Sequence, residues 1–309
     1  MTQIERILKE GIISEDFLKE ETICDFVVTK ELKKVQAIAL DLLIKFDAVC
    51  KKNNLRYFLA YGTLLGAVRH KGFIPWDDDI DVLMPRKDYE RFTKMADDFE
   101  YPYFLQTPET DKGYLYSLTK IRNSETCSVF PMRAGFGFNF GIAIDVFILD
   151  KSVFEDREEI FQKIDMLNSF NSAYMKIPQK AINKKGIDLL RNHLDLSPRQ
   201  ALNRITELAK RHINDDTEYV TEYATTIYNW KKNMWNAEDF SKTVLMPFCT
   251  RSFPAPAGYD NILKKTYGNY MELPPLPDRG AWHSGHIYDP DRSYREIYKE
   301  LGIDLNEEN

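Results

Sequence analysis

The sequence predicts an α+β fold, in which a core of alternating strands and helices is joined by a separate helical subregion. Three observations carry this. Apolar residues recur at intervals of three and four along 35–50, the stripe of an amphipathic helix on a core. Short strand-like runs at 56–61, 79–84 and 140–149 are separated by further helical patterns. From Val153 to Trp235 glycine and proline become sparse, and helical spacing such as Ile160, Ile164, Leu167 and Phe170 takes over. The 309 residues, 43% hydrophobic and 29% charged, can bury a full core. We read them as a single domain over 1–309, with its core at about 30–150 and 240–290 and a helical subregion at 151–239.

The first helix rests on Val35, Ile38, Ala39, Leu42, Leu43, Phe46, Val49 and Cys50, with Asn53 and Asn54 as its stop. Arg56 to Tyr61 is a strand, and Gly62-Thr63 is a turn into a helix of about two turns, which Thr63 is placed to cap and Gly72 to close. Pro75 breaks regular structure before a second strand, Asp79 to Met84. Period two there puts Asp79 and Asp81 on one face and Ile80 and Val82 on the other. Pro85 ends that strand and Lys87 to Phe99 reads as the next helix. Leu115 to Arg122 is a strand with Lys120 and Arg122 on one side, and the Gly- and aromatic-rich stretch from Asn123 to Asn139 suits a loop over a site. Phe140 to Leu149 is a buried strand whose one interior charge, Asp145, requires compensation. Val244 to Phe253 reads as strand, Tyr259 to Tyr267 as a helix closed by Gly268, and Leu273 to Arg279 as a Pro-rich turn.

Bulk composition excludes several classes. A net charge of -6 argues against a general nucleic-acid binder, which needs a dense basic face. Cys24, Cys50, Cys127 and Cys249 lie far apart, without zinc-ligand or disulfide spacing. Neither a signal peptide nor a membrane span is evident, and no basic amphipathic anchor is present.

The informative chemistry is acidic. Residues Gly72 to Asp81 read Gly-Phe-Ile-Pro-Trp-Asp-Asp-Asp-Ile-Asp, directly after Gly-Thr-Leu-Leu-Gly-Ala-Val-Arg from Gly62. Two unit charges about 4 Å apart repel by roughly 4 kcal/mol at an effective dielectric of 20, so four clustered carboxylates invite a divalent cation. If the two acidic strands are neighbours, Asp79, Asp81 and Asp145 meet, and an all-oxygen set of this kind selects Mg²⁺ or Mn²⁺. A bare Asp-x-Asp is more often a solvated acidic turn. Here Pro75, Trp76, the alternating strand and the separate Asp145 favour a site. Asp77 and Asp78 are open between supporting groups, ligands through water and plain surface charges.

Gly62 and Thr63 offer backbone N–H groups and a hydroxyl to an anion at a helix N-terminus, though a simple capped turn explains them equally well. Arg69, His70, Lys71, Lys120, Arg122, Arg133, Arg251 and Arg279 are candidate phosphate contacts, led by Lys120 and Arg122 and then Arg69. His283, in a Trp-His-Ser-Gly-His run, is a weaker candidate for substrate contact or acid/base work. Trp76, Trp230, Trp235 and Trp282 are open candidates for an aromatic contact, with core packing the commoner role for each.

Together these blocks resemble the LicD family, the bacterial phosphocholine transferases related to fukutin and the fukutin-related protein. The resemblance runs over roughly 30–290: Tyr-Gly-Thr-Leu-Leu-Gly-Ala-Val-Arg-His from Tyr61, the block from Gly72, Ile-Asp-Val-Phe at Ile144, and Tyr-Gly-Asn-Tyr-Met with Leu-Pro-Pro from Tyr267. It implies a nucleotidyltransferase-like mixed β-sheet with flanking helices. The corresponding site elements are Gly62-Thr63, Asp79 with Asp81, and Asp145. It further implies transfer of phosphocholine from CDP-choline to a hydroxyl on a cell-surface glycan precursor of teichoic acid, lipopolysaccharide or capsule type, with release of CMP and dependence on Mg²⁺. In that reading Asp79 and Asp81 hold metal, Asp145 bridges metal or acts as base, and Lys120 and Arg122 meet the diphosphate. The cysteine-rich zinc loop of the mammalian relatives has no counterpart around Cys127.

Rivals are a LicD-like transferase using CDP-ribitol or CDP-glycerol, an Asp-x-Asp glycosyltransferase, and a non-catalytic calcium or glycan-binding module. A cytosolic donor implies a cytoplasmic enzyme, with docking at the inner membrane face, where lipid-linked glycans are built, left open.

Overall fold

The computed structural model describes residues 1–129, 137–176, 196–224, 232–280 and 287–302. In chain order, α1 (Gln3–Lys9) leads to the hairpin β1 (Glu21–Ile23) and β2 (Phe26–Val28), then α2 (Lys30–Lys52), β3 (Phe58–Leu59), α3 (Tyr61–Arg69), β4 (Asp81–Pro85) and α4 (Arg86–Phe92). Next come β5 (Tyr103–Gln106), β6 (Thr119–Asn123), β7 (Cys127–Val129), β8 (Ile142–Ser152), α5 (Arg157–Lys176), α6 (Pro198–Ala209), β9 (Tyr219–Thr221) and β10 (Met234–Asn236). The chain continues through β11 (Thr243–Phe248), β12 (Arg251–Pro256), α7 (Tyr259–Tyr267), β13 (Ile287–Asp289) and α8 (Tyr294–Glu300). This is the α+β architecture that the sequence predicts, built on a mixed sheet.

That sheet is organised by β8. It pairs parallel with β4 over 145–149 and antiparallel with β6 over 142–146, and its last three residues pair antiparallel with β9. β3 adds antiparallel to β4, β5 to β6 and β10 to β9, giving seven strands. Under the sheet lies α2, started by Thr29, whose hydroxyl accepts from the Leu32 N–H. Its Val35, Ile38, Leu42, Leu43 and Phe46 are buried in one cluster with Ile80, Val82, Ile121, Ile144 and Val146. Each such side chain contributes roughly 1.5–3 kcal/mol when removed from water, so this contact fixes the sheet that carries the acidic residues.

Several boundaries differ from the sequence reading. Strand β4 starts at Asp81, so Asp79 precedes the ladder. Helix α3 starts at Tyr61 behind Ala60, placing Thr63 inside its first turn, and the left-handed residue after it is Lys71, with φ of 59°. The predicted helix from Lys87 to Phe99 is α4 followed by a single 3₁₀ turn at Ala96–Asp98. Within the predicted helical subregion, α5 and α6 bury Ile160, Phe161, Ile164 and Leu167 against Leu202 and Ile205. The same stretch also returns two strands, β9 and β10, to the main sheet. Their three-residue length explains why periodicity did not reveal them. The helix over Tyr259–Tyr267 ends at Gly268, φ 70°, as expected.

Candidate active site

Register sets the centre of the site. Asp81 on β4 lies opposite Asp145 on β8, and Asp145 lies opposite Lys120 on β6. Directly opposed residues point to one face, so three adjacent strands present carboxylate, carboxylate and ammonium in a row. The Lys120 ammonium is ion-paired to Asp145. That is the compensation which a carboxylate inside an apolar strand requires. Asp81 is held differently: its backbone N–H donates to the Thr63 hydroxyl at 2.8 Å, and its carbonyl accepts from Ala60 at 3.0 Å. Thr63, buried at 4% exposure, therefore ties the start of α3 to the start of β4 instead of capping its helix.

The acidic loop before β4 closes on itself. Asp77, Asp78 and Asp79 each offer a carboxylate oxygen, and these lie within 4.8 Å of one another. The loop is pinned by Gln36, whose amide donates to the Asp77 carbonyl at 2.9 Å, and by Tyr288, whose hydroxyl donates to Asp78 at 2.9 Å. Gly62 allows the approach: a Cβ there would stand 2.6 Å from the Asp77 Oδ2. Asp81 keeps some surface on the cleft, while protein surrounds the rest of it. The loss of water, and then Asp79, Asp145 and Asp77, push its carboxyl well above the usual carboxylate range, and Lys120 only partly opposes them.

Two clefts flank these carboxylates. The larger, about 640 Å³, is bounded by α3 and the 267–278 segment and is lined by Gly62, Arg69, Asp77, Asp79, Asp81 and Tyr267, among others. The smaller, about 220 Å³, lies over β6 and β8 and is lined by Asp78, Asp79, Lys120, Asp145 and an aromatic wall. Asp79 lines both. Arg69 faces the larger cleft but donates to the Tyr270 carbonyl at 2.8 Å and to the His70 Nε2 at 2.9 Å. Arg122 lines the smaller one at 5% exposure. Its guanidinium donates to the Gln106 Oε1 and the Gly141 carbonyl, both at 2.6 Å. Burial draws the Arg122 guanidinium below its ordinary range.

Comparison with known proteins gives the constellation its family. The family model described as LicD/FKTN/FKRP, nucleotidyltransferase domain, matches residues 54–182, which contain every carboxylate above. Lipopolysaccharide cholinephosphotransferase LicD of Haemophilus influenzae is 28% identical over 268 residues, covering 83% of this chain and 97% of that protein. The chain carries a LicD-family domain over residues 54–182. It is thus an enzyme of the phosphotransferase class. Uncharacterized proteins of Rickettsia typhi and Rickettsia prowazekii are 37% and 38% identical over 81 residues, 26% of this chain and 26% and 30% of theirs.

In this LicD-family domain, the sequence candidates Gly62, Arg69, Asp79, Asp81, Lys120, Arg122 and Asp145 all reach the two clefts. Thr63 stands behind them. Lys71 and Arg251 are exposed and line neither, while Arg279 lies over the Trp76 ring at 5.6 Å. Trp76 is on the wall of the larger cleft, and Trp235 is core, 1% exposed. Arg133, Trp230, Trp282 and His283 lie outside the described residues. Sequence reasoning gave Asp77 and Asp78 lesser parts and missed Tyr288. Only the fold brings Tyr288 to Asp78, 210 positions away.

Proposed function

We propose that this chain transfers phosphocholine from CDP-choline to a hydroxyl of a cell-surface glycan of the lipopolysaccharide type, releasing CMP, with help from a divalent cation such as Mg²⁺. One observation carries the reading: a ridge of carboxylates divides two clefts, and Asp79 belongs to both. A diphosphate placed at that ridge has room for the nucleoside on one side and for its head group and the acceptor on the other. The similarity to a lipopolysaccharide cholinephosphotransferase over most of the chain supports the choice of head group and acceptor.

The donor set fits a hard cation. Asp77, Asp78 and Asp79 gather oxygens within 4.8 Å, and burial, then crowding by Asp79, Asp145 and Asp77, holds Asp81 toward its acid form, a repulsion that a bound cation relieves. We assign Asp77, Asp79 and Asp81, which share the wall of the larger cleft, as the groups that would hold it, with Asp78 completing the oxygen cluster and Asp145 adjacent. When bound, such a cation supplies charge neutralisation for the diphosphate.

The protein's own groups do the rest. The first turn of α3, whose Tyr61 and Gly62 line the larger cleft, sets a helix N-terminus at its wall, an arrangement that favours phosphate. Lys120 adds positive charge beside Asp145. The acceptor oxygen forms a bond to the phosphorus bearing choline, and the bond from that phosphorus to the CMP oxygen breaks, CMP keeping the electron pair. The acceptor's proton passes to Asp145. Arg122 braces the wall through its two internal hydrogen bonds. Among the described residues no helix is long and apolar enough to cross a membrane, and we place the reaction on the cytosolic side, where CDP-alcohols are made.

The test is CMP release from CDP-choline, CDP-ribitol and CDP-glycerol with a lipopolysaccharide acceptor, with Mg²⁺ and with excess chelator. Metal-dependent release from CDP-choline is expected. Turnover of UDP- or GDP-sugars with none of CDP-choline would overturn the reading.

A further inference from the structure

The smaller cleft combines two features that the donor and metal assignments leave unused. Its wall holds Tyr116, Phe138, Phe140 and Tyr288, together with the aliphatic Leu118 and Ile142. Phe138 and Phe140 stack with centroids 4.4 Å apart at 22°, and Tyr116 meets Phe138 nearly edge-on, at 6.5 Å and 87°. Phe138 and Phe140 are almost covered, at 2% and 5% exposure, so they form the floor, and the half-buried Tyr116 and Tyr288 form the reachable sides. Among the described residues the same cleft holds three carboxylates, Asp78, Asp79 and Asp145, with Lys120 and Arg122. Lys120 is spent on Asp145, and Arg122 donates to neutral oxygens.

We infer that this wall, Tyr116 with Phe138, Phe140 and Tyr288, is the subsite for a quaternary ammonium head group, and that the acidic ridge beside it supplies the matching charge. A trimethylammonium group has no N–H to donate and carries a diffuse positive charge on a methyl surface. Aromatic faces and aliphatic side chains recognise it, where a polyol would demand hydrogen-bonding partners. Tyr288 donates its hydroxyl to Asp78, which leaves the phenol more electron-rich and strengthens its attraction for a cation.

The larger cleft is less suited to this role. Trp76 there is engaged with Arg279, and the Tyr61 hydroxyl donates to Glu222 at 3.0 Å. The remaining lining carries Tyr267 and Tyr270 beside Asn269, Glu272 and Asp278, with the Tyr270 hydroxyl donating to Asp260 at 2.8 Å, and rings set among hydrogen-bonding groups fit a base and ribose better than three methyls. With the nucleoside on that side, the head group falls in the smaller cleft. This inference rests on the choline reading above, and its test separates the two.

The experiment has two arms. In the first, binding of tetramethylammonium chloride to the purified chain is followed by calorimetry, without donor or turnover. Wild type is expected to bind, Tyr116→Ala to lose about tenfold in affinity, and Tyr116→Phe to stay within about twofold. A tenfold loss corresponds to about 1.4 kcal/mol, within the range of a partly desolvated cation–π contact. In the second arm, KM for CDP-choline rises about tenfold in Tyr116→Ala while inhibition by CMP is unchanged. Absence of tetramethylammonium binding, or equal loss in Tyr116→Ala and Tyr116→Phe, overturns the subsite. Binding of tetramethylammonium that Tyr116→Ala abolishes, in an enzyme that turns over CDP-glycerol and not CDP-choline, upholds the subsite and overturns the proposed function.

Discussion

Thr63→Val is the sharpest test of how the site is held. Valine keeps the shape of threonine and removes the oxygen that accepts the Asp81 N–H at 2.8 Å. Leaving a buried donor unpaired costs about 1–3 kcal/mol. Asp81 opens onto the cleft, where water can replace part of the lost bond, so we work with about 2 kcal/mol. At about 2 °C per kcal/mol, the lower end for a chain of this size, Tm falls by about 4 °C. Activity should fall further than stability implies, because the same bond fixes the position of the Asp81 carboxylate. If all of the roughly 2 kcal/mol is lost from the transition state, kcat drops about thirtyfold.

The control is Thr63→Ser, which keeps the oxygen and should restore both Tm and kcat. Scanning calorimetry and initial rates of CMP release give the two readouts. The two roles open to Thr63 separate here. A hydroxyl that touches the donor's phosphate raises KM in the valine variant and leaves Tm alone; a hydroxyl that anchors Asp81 lowers Tm and kcat together. Unchanged Tm in Thr63→Val, or a serine variant as damaged as the valine one, refutes the anchoring argument.

Three further outcomes follow from the same geometry. Gly62→Ala removes a helical glycine, which favours the helix by up to about 1 kcal/mol, yet drives the Asp77 carboxylate aside; Tm should hold or rise while CMP release falls, and loss of both would show that the contact cannot relax. His70 is held near pKa 4, below its usual 6.5, first by burial and then by Arg69, so the folded chain binds fewer protons than the unfolded one between those values. Its contribution to stability is lost as pH falls from about 6.5 to about 4, and a plot of wild-type minus His70→Gln Tm against pH should slope across that window and be flat above it. Asp150→Asn breaks the buried Arg86 pair, whose contacts are 2.6 and 2.7 Å, and should cost about 3–5 kcal/mol; the double variant Arg86→Met, Asp150→Leu should recover most of it in urea denaturation.

What could be read from the sequence was what local pattern encodes. The stripe of α2, the alternation through β4, the apolar run of β8 and the Gly-closed α7 each depend on neighbours within a few positions. The site's acidic members were visible for the same reason, being packed into one loop and one strand. Partnerships across the fold were not. Arg86 meets Asp150 from 64 positions away, Tyr61 meets Glu222 from 161, and no periodicity carries that information. Thr63 shows a subtler failure. A threonine after a glycine at a helix start fits a cap, but Tyr61 adopts φ of 44° and begins the helix earlier, freeing the hydroxyl for β4. The aromatic wall escaped too, since β7 and β13 pair only in the folded chain.

The acidic ridge is a charge arrangement that the fold maintains against its own preference. Asp81 and Asp145 stand opposite one another on a parallel pair, Asp79 and Asp77 crowd Asp81, and the one cation in the row, Lys120, is paired to Asp145. Folding could relax this repulsion by turning one carboxylate outward, but the anchors prevent it. Gln36 from α2 holds the Asp77 carbonyl, Tyr288 holds Asp78, and Thr63 holds the backbone of Asp81. Three separate elements thus keep the repelling groups together, and with Asp81 held toward its acid form the cost grows as pH rises above the ordinary carboxylate range. An added cation should therefore raise Tm more at pH 8 than at pH 5. In metal-free protein, Asp81→Asn should melt higher than wild type at pH 8 while losing activity. A variant that melts lower than wild type at every pH would mean that the Asp81 carboxylate stabilises the fold, and the case for a ridge strained in readiness for a cation would fail.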